Sequence, residues 1–320
     1  MKKVFMFLLV AGLVLGITAR NAFAKGQNAT QGSEGKIRIA YVVKAMSDQF
    51  WIDMRNGAEV AAKEFNVELS FQAPDRETDV ERQIQMVENA IISKVDAIIL
   101  SAASSTALNP VIVKVNKANI PVILVNDTID ENALAAEGGF VETYVGIDQY
   151  AAAALAGDYC AQNIAGGKVL LLEGPSGVDA LAQRLAGFRD KVMGKPGFEI
   201  AASQTANCDR NEGFNVTQNV LTARPDINII WSVNAEMGQG AIQAIEQAGR
   251  TGTVSVFDFD ASNDDIQAVK AGTLVGSVAQ YPEIQARAAI QACIDVLGGK
   301  KLSPHTVTKA ELITRANVVN

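Results

Sequence analysis

IRIAYVV at residues 37–43, then FWIDMRNGAEVAAKEF at residues 50–65, is a strand followed by a helix. The first run is short, apolar and rich in β-branched residues. Nearly every position in it is apolar, as in a parallel strand covered on both faces. The second places Ile52, Met54, Ala58, Ala61, Ala62 and Phe65 at helical spacing. The loop between them, 44–49, therefore leaves the carboxyl end of the strand and leads into a helix. This one unit recurs along the chain.

Toward the C terminus the next strand is expected at 67–71. Val80, Ile84, Val87 and Ile91, spaced four, three and four apart, then mark one helical face. Further strands are read at 96–100 (DAIIL) and 121–125 (PVILV), with a helix over 106–119. After Tyr144 the cycle restarts. Strands fall at 168–172, 199–204, 227–233, 254–259 and 275–278. Helices fall at 151–164, 180–192, 212–222, 237–248, 264–271 and 283–297. Two successive βαβαβ runs imply an α/β chain of two doubly wound parallel-sheet domains with right-handed crossovers. A length of 320 residues suits two cores.

Toward the N terminus, Lys2 and Lys3 precede an apolar run over 4–17, and Ala22-Phe23-Ala24 gives an A-x-A pattern. This is the layout of a cleavable export signal over 1–24, and the run is too short to span a bilayer. Residues 25–35 (KGQNATQGSEG) read as a flexible lead-in. The expected location is the periplasm. The net charge is −7, and loss of Lys2, Lys3 and Arg20 would bring it to −10. Such an acidic chain is no candidate for nucleic acid. Cys160, Cys208 and Cys293 lie far apart without CxxC spacing, and are expected as buried thiols.

In open parallel sheets, ligands bind beyond the carboxyl ends of the strands. The residues found there include Asp48, Phe50 and Trp51; Asn126 and Asp127; Cys208; Asn234; Asp260; and Gln280, with Arg184 after a Gly-rich loop. Carboxylates and amides accept from hydroxyls, Arg and amides donate, and aromatic rings cover C–H faces. Asp and Asn are also favoured after strands as turn formers and helix N-caps, whatever the function. Phosphate-loop, dinucleotide and nucleophile-elbow motifs are absent from the sequence. Its one histidine, His305, reads as a surface residue. No metal, cofactor or catalytic centre is expected. The carboxylates Asp258 and Asp260 are read as pointing to opposite faces of their strand, so that only one could face a ligand.

IAYVVKAMSDQFW (39–51), ASQTANCDRNEGFNVTQNVLTARPDI (202–227), NAEMGQGAIQAI (234–245) and AGTLVGSVAQYP (271–282) resemble the periplasmic sugar-binding proteins of the ribose-binding type. The resemblance runs from Lys36 to about Ile313. It implies a ligand in the cleft between two domains joined by a three-segment hinge near 147–148, 280–281 and 309–310. The domains would be 36–147 with 281–308, and 148–280 with 309–320. It assigns ligand contacts to Asp48, Phe50, Trp51, Asn126, Asp127, Arg184, Cys208, Asn234, Asp260 and Gln280. It implies a monomer that binds by hinge closure and serves an ABC permease, with a chemoreceptor as a further partner. A sugar-sensing receptor component and a carbohydrate-active enzyme are the competing readings.

Three positions depart from that pattern. Asn126-Asp127 replaces Asp-Arg, Cys208 replaces an aromatic, and Asp48 replaces an Asn. An acceptor where a donor is usual disfavours a ring oxygen, which can only accept. The expected ligand is accordingly a small polyhydroxylated molecule, a polyol or cyclitol rather than ribose.

Overall fold

A computed structural model describes residues 35–318. The export signal read at 1–24 and all but the last residue of the lead-in lie outside the described residues. The first half of the chain forms β1 (Arg38–Val42), α1 (Gln49–Glu64), β2 (Glu68–Gln72), α2 (Val80–Ile92), β3 (Ala97–Leu100), α3 (Asn109–Lys117), β4 (Val122–Val125), α4 (Glu131–Ala136) and β5 (Thr143–Gly146). The second forms α5 (Gln149–Asn163), β6 (Gly167–Glu173), α6 (Asp179–Met193), β7 (Phe198–Thr205), α7 (Arg210–Ala223), β8 (Ile229–Ser232), α8 (Ala235–Gln247), β9 (Ser255–Asp260), α9 (Asn263–Ala271) and β10 (Gly276–Ala279). Then come α10 (Pro282–Leu297), β11 (His305–Val307) and β12 (Glu311–Thr314).

Two six-stranded sheets result, ordered β11-β5-β4-β3-β1-β2 and β12-β10-β9-β8-β6-β7. Each strand pairing is parallel except β10 with β12. Both are doubly wound, as the alternating pattern requires. In the first sheet the two-residue period of a strand divides the core. Ile39, Tyr41, Ile99, Ile123 and Val125 pack on the side of α1 and α10. Ala40, Val42, Ile98, Leu100, Val122 and Leu124 pack on the side of α2 and α3. The second lobe has one core, in which the Phe188 and Trp231 rings stack at 4.6 Å.

The chain passes from the first lobe to the second between β5 and α5, returns between β10 and α10, and crosses again between β11 and β12. α10 packs on α1, β3 and β4, so this late helix belongs to the first lobe. Close helix pairing depends on glycine. A Cβ on Gly57 of α1 would lie 2.5 Å from Glu283 Cα of α10, and one on Gly187 of α6 would lie 2.3 Å from Tyr150 O of α5.

The strands and helices read from periodicity are present, with two kinds of difference. α3 begins at Asn109 rather than 106, because Ser104 Oγ accepts from the amides of Thr106 and Ala107 and holds a turn there. The short elements α4, β5, β11 and β12 are too brief to show a period. The three cysteines are free and buried. His305 is exposed, on β11.

Candidate functional site

The strand-end residues of both lobes meet around one small cavity. Lys44, Asp48, Phe50, Trp51, Glu77 and Asn126 line it from the first lobe. Leu181, Arg184, Cys208, Asn234 and Asp260 line it from the second, and Gln280 from the β10–α10 crossing. Nine of the ten residues expected from the sequence are thus brought together; Asp127 is the exception.

Local structure explains how several are aimed. Asp48 is the N-cap of α1 and accepts from Trp51 N at 3.1 Å. Asn234 caps α8, accepting from Met237 N at 3.2 Å. Capping and lining the cavity are one arrangement here, because a cap sits where a strand end turns into a helix. Asn126, Cys208 and Asp260 have φ of 60°, 59° and 92°. Left-handed backbone at non-glycine positions costs on the order of 1–3 kcal/mol and concentrates at binding sites.

Asp127 stands behind the cavity lining rather than in it. The left-handed turn at Asn126 sends its side chain away from the cavity. Its Oδ1 accepts from Lys44 Nζ at 3.1 Å and its Oδ2 from Ser101 Oγ at 2.5 Å. Lys44 also lies 3.2 Å from Glu77 Oε2, while Glu77 Oε1 accepts from Trp51 Nε1 at 2.9 Å. Burial disfavours charge on Lys44, but Asp127 and then Glu77 outweigh it and hold the ammonium above its usual range. Burial likewise opposes charge on Glu77, and Lys44 with the Trp51 bond brings that carboxyl below its usual value. Lys44, paired with Asp127, thus places an ammonium donor in the cavity lining.

Lys44 and Glu77 were not singled out in the sequence. Lys44 opens the loop that follows β1, where a lysine reads as an ordinary solvated residue. Glu77 lies in the β2–α2 loop, five residues past the end of β2. Both positions obey the same strand-end rule.

On the other side, Arg184 donates through Nε to Gln149 Oε1 at 2.8 Å and through Nη1 to Val233 O at 3.0 Å. Its guanidinium lies over the Phe259 ring, 4.0 Å from the centroid, and 3.7 Å from Asp260 Oδ1. Asp260 accepts from Gln280 Nε2 at 2.6 Å and from Ala235 N at 3.1 Å. Asn126 Nδ2 donates to Gln280 Oε1 at 2.7 Å, and Gln149 Nε2 to Asn126 O at 2.8 Å. A chain of hydrogen bonds from Arg184 through Gln149, Asn126 and Gln280 to Asp260, closed by the Arg184–Asp260 ion pair, therefore joins the lobes where the chain crosses. Phe50 and Trp51, edge to face at 4.7 Å, form the apolar wall.

The expected division of Asp258 and Asp260 holds in outcome but not in cause. Two residues apart, they share a face of β9. Asp258 sits deeper, where a Cβ on Gly238 of α8 would lie 2.4 Å from its Oδ2, while Asp260 reaches Ala235 at the start of the same helix. Depth, not strand parity, separates them. Among the described residues no cluster of His, Cys, Asp and Glu could hold a metal.

Residues 39–301 match the family described as periplasmic binding protein domain. The chain is 34% identical over 307 residues to the D-ribose/D-allose-binding protein of Pseudomonas aeruginosa, covering 94% of each. It is 30% identical over 312 residues to the xylitol-binding protein of Mycolicibacterium smegmatis, covering 96% of this chain and 84% of that one. Its fold superposes on an ABC transporter periplasmic solute-binding protein of Actinobacillus succinogenes with bound D-allose at a TM-score of 0.82. The identity there is 34%, covering 88% of this chain and 98% of that one. With the cavity, these likenesses establish that the chain belongs to the periplasmic binding proteins, in their ribose-binding-like branch, and is a binding protein rather than an enzyme.

Proposed function

We propose that this chain captures a small polyhydroxylated solute, a polyol or cyclitol in preference to ribose, by closing its two lobes around it and presenting it to an ABC importer. The observation that carries this reading is the cavity itself: both lobes line it, and three of its polar side chains are carboxyl groups. Asp48, Glu77 and Asp260 face it with carboxylates. Arg184 already spends two of its five donors on Gln149 and Val233. A ligand hydroxyl can donate to an ionised carboxylate or accept from a protonated carboxyl, whereas a ring oxygen can only accept. The likeness to a xylitol-binding protein supports the polyol. This replaces the argument from Asp127, whose oxygens are occupied.

Closure is supported by the three short crossings and by contacts between the lobes outside the cavity. Ser105 N donates to Gly177 O and Asp179 N to Ser105 Oγ, each at 2.8 Å. Arg76 meets Glu212 at 2.7 Å. A ligand held by both lobes binds the closed state better and shifts the population toward it. On this reading the chain is exported through residues 1–24 and acts as a monomer, with the permease and a chemoreceptor reading the closed form.

The test is a thermal-shift panel on residues 25–320, stripped of ligand by unfolding and refolding. Pentoses, hexoses, pentitols, tetritols, inositols and amino sugars are compared. Ligand at a hundred times its Kd adds about 2.7 kcal/mol, or about 5–10 °C in Tm. Shifts confined to polyols or inositols are expected. A response only to aldoses would overturn the ligand preference, and no response would overturn the function.

A further inference from the structure

Six charged side chains are walled into the cavity or stand directly behind it. Lys44 and Arg184 are the cations; Asp48, Glu77, Asp127 and Asp260 are the acids. None is more than 8% exposed. Two cations against four carboxylates leave an excess of two negative charges when all are ionised. Buried charge is tolerated only when it is paired.

The pairing singles out one group. Lys44 lies between Glu77 and Asp127, and Arg184 lies against Asp260. Asp48 has no cation. Its hydrogen bond comes from its own helix, from Trp51 N to Oδ1. The groups that face it from other elements are acidic: Glu77 before α2, Asp260 at the end of β9 and Glu236 on α8. The Cys208 thiol nearby is neutral, held up by burial and by Glu77. On its outer flank Asp48 shares a crevice with Arg210, which is already taken by Glu236 at 2.7 Å and Asp264 at 2.9 Å. Burial, then Glu77 and Asp260, push the Asp48 carboxyl well above its usual value.

We infer that Asp48 takes up a proton as the lobes close on a neutral ligand, so that capture is proton-coupled and the carboxyl becomes a hydrogen-bond donor to a ligand oxygen. This rests on the reading of the cavity as a two-lobed site for neutral polyhydroxylated molecules. In the open cleft, water solvates Asp48 and it is ionised at neutral pH. In the closed cavity a neutral ligand brings no charge to balance it, so the proton enters from solvent. A ligand bearing an ammonium group supplies that charge itself and takes up no proton.

Because the closed form binds the extra proton, affinity falls as pH rises, by up to tenfold per unit between the open and closed pKa values of Asp48. Asp48→Asn is the informative variant. It copies the shape and the donor and acceptor of a protonated carboxyl, and Asn caps α1 as well as Asp does.

The experiment is titration calorimetry on residues 25–320 with xylitol, myo-inositol or D-ribose, whichever gives the largest thermal shift. It is run from pH 5.5 to 8.5 in phosphate and in Tris, whose ionisation enthalpies differ. The expected result is uptake approaching one proton per ligand, a Kd that rises with pH, and loss of both in Asp48→Asn, with its fold checked by circular dichroism. Binding without proton exchange and with a pH-independent Kd would overturn the inference, as would uptake unchanged in Asp48→Asn. Tight binding in either case would leave the function standing. A chain that binds none of the three would overturn the reading of the site and the inference with it.

Discussion

Arg184 is the residue on which most of the second lobe's half of the site converges. It reaches Gln149, Val233 O and Asp260, and lies over Phe259. Arg184→Ala would leave Asp260 buried without a cation, and removing one member of a buried pair costs about 3–5 kcal/mol. Asp260→Ala would strip Gln280 Nε2 and Ala235 N of their acceptor. Both substitutions are expected to weaken ligand binding more than a hundredfold in titration calorimetry while far-UV circular dichroism stays native. Wild-type affinity in either variant would refute the site. Asp127→Asn makes the complementary case: it touches the ligand only through Lys44, so a smaller loss is expected, together with a lower Tm.

Among the elements, α9 is the most exposed to pH. Ser262 and Asp265 form a capping box at its start, and Gln239 Nε2 donates to Asp265 Oδ1 at 2.7 Å. Burial pushes the Asp265 carboxyl up to about 6. It also pushes the neighbouring Asp258 well up, helped by Asp265 itself. A carboxyl whose folded pKa is raised stabilises fully below its unfolded pKa, and that contribution is lost as pH rises through the folded value. The expected consequence is a Tm that falls between about pH 4 and 6 by more in the wild type than in Asp265→Asn. Parallel melting profiles would contradict this. A contrasting element is α5, whose cap Asp148 accepts from Ala151 N at 2.9 Å and is absent from the cavity lining. Asp148→Ala should cost about 1 kcal/mol by denaturant unfolding.

For the whole molecule, the contacts between lobes outside the cavity divide binding into ligand contact and closure. Thr128 Oγ1 donates to Asp179 Oδ2 at 3.1 Å, and Arg76 pairs with Glu212. These groups are exposed, so each is worth little alone. The double variant Arg76→Ala/Asp179→Ala removes contacts made only when the lobes meet. It is expected to raise Kd severalfold, with little change in the Tm of the ligand-free chain. An equal loss of Tm in the ligand-free chain would show that the contacts stabilise the fold rather than closure.

What the sequence determined by itself was local and periodic. Parallel strands buried on both faces must be apolar, and helices between them must carry a stripe, so 37–65 and its repeats specified two doubly wound lobes. Since ligands sit at the carboxyl ends of such strands, nine cavity residues could be named by position, Asp48 and Asn234 among them. The tertiary structure decided which charges meet. Lys44 and Asp127 are 83 residues apart and form one ion pair, and no periodicity carries such a pairing. It also decided which way a strand-end side chain turns: a left-handed φ at Asn126 sends Asp127 back to Ser101, and depth beneath α8 hides Asp258 while Asp260 reaches the cavity. Backbone pattern is written in neighbouring residues, but the balance of buried charge depends on which distant residues are packed against one another.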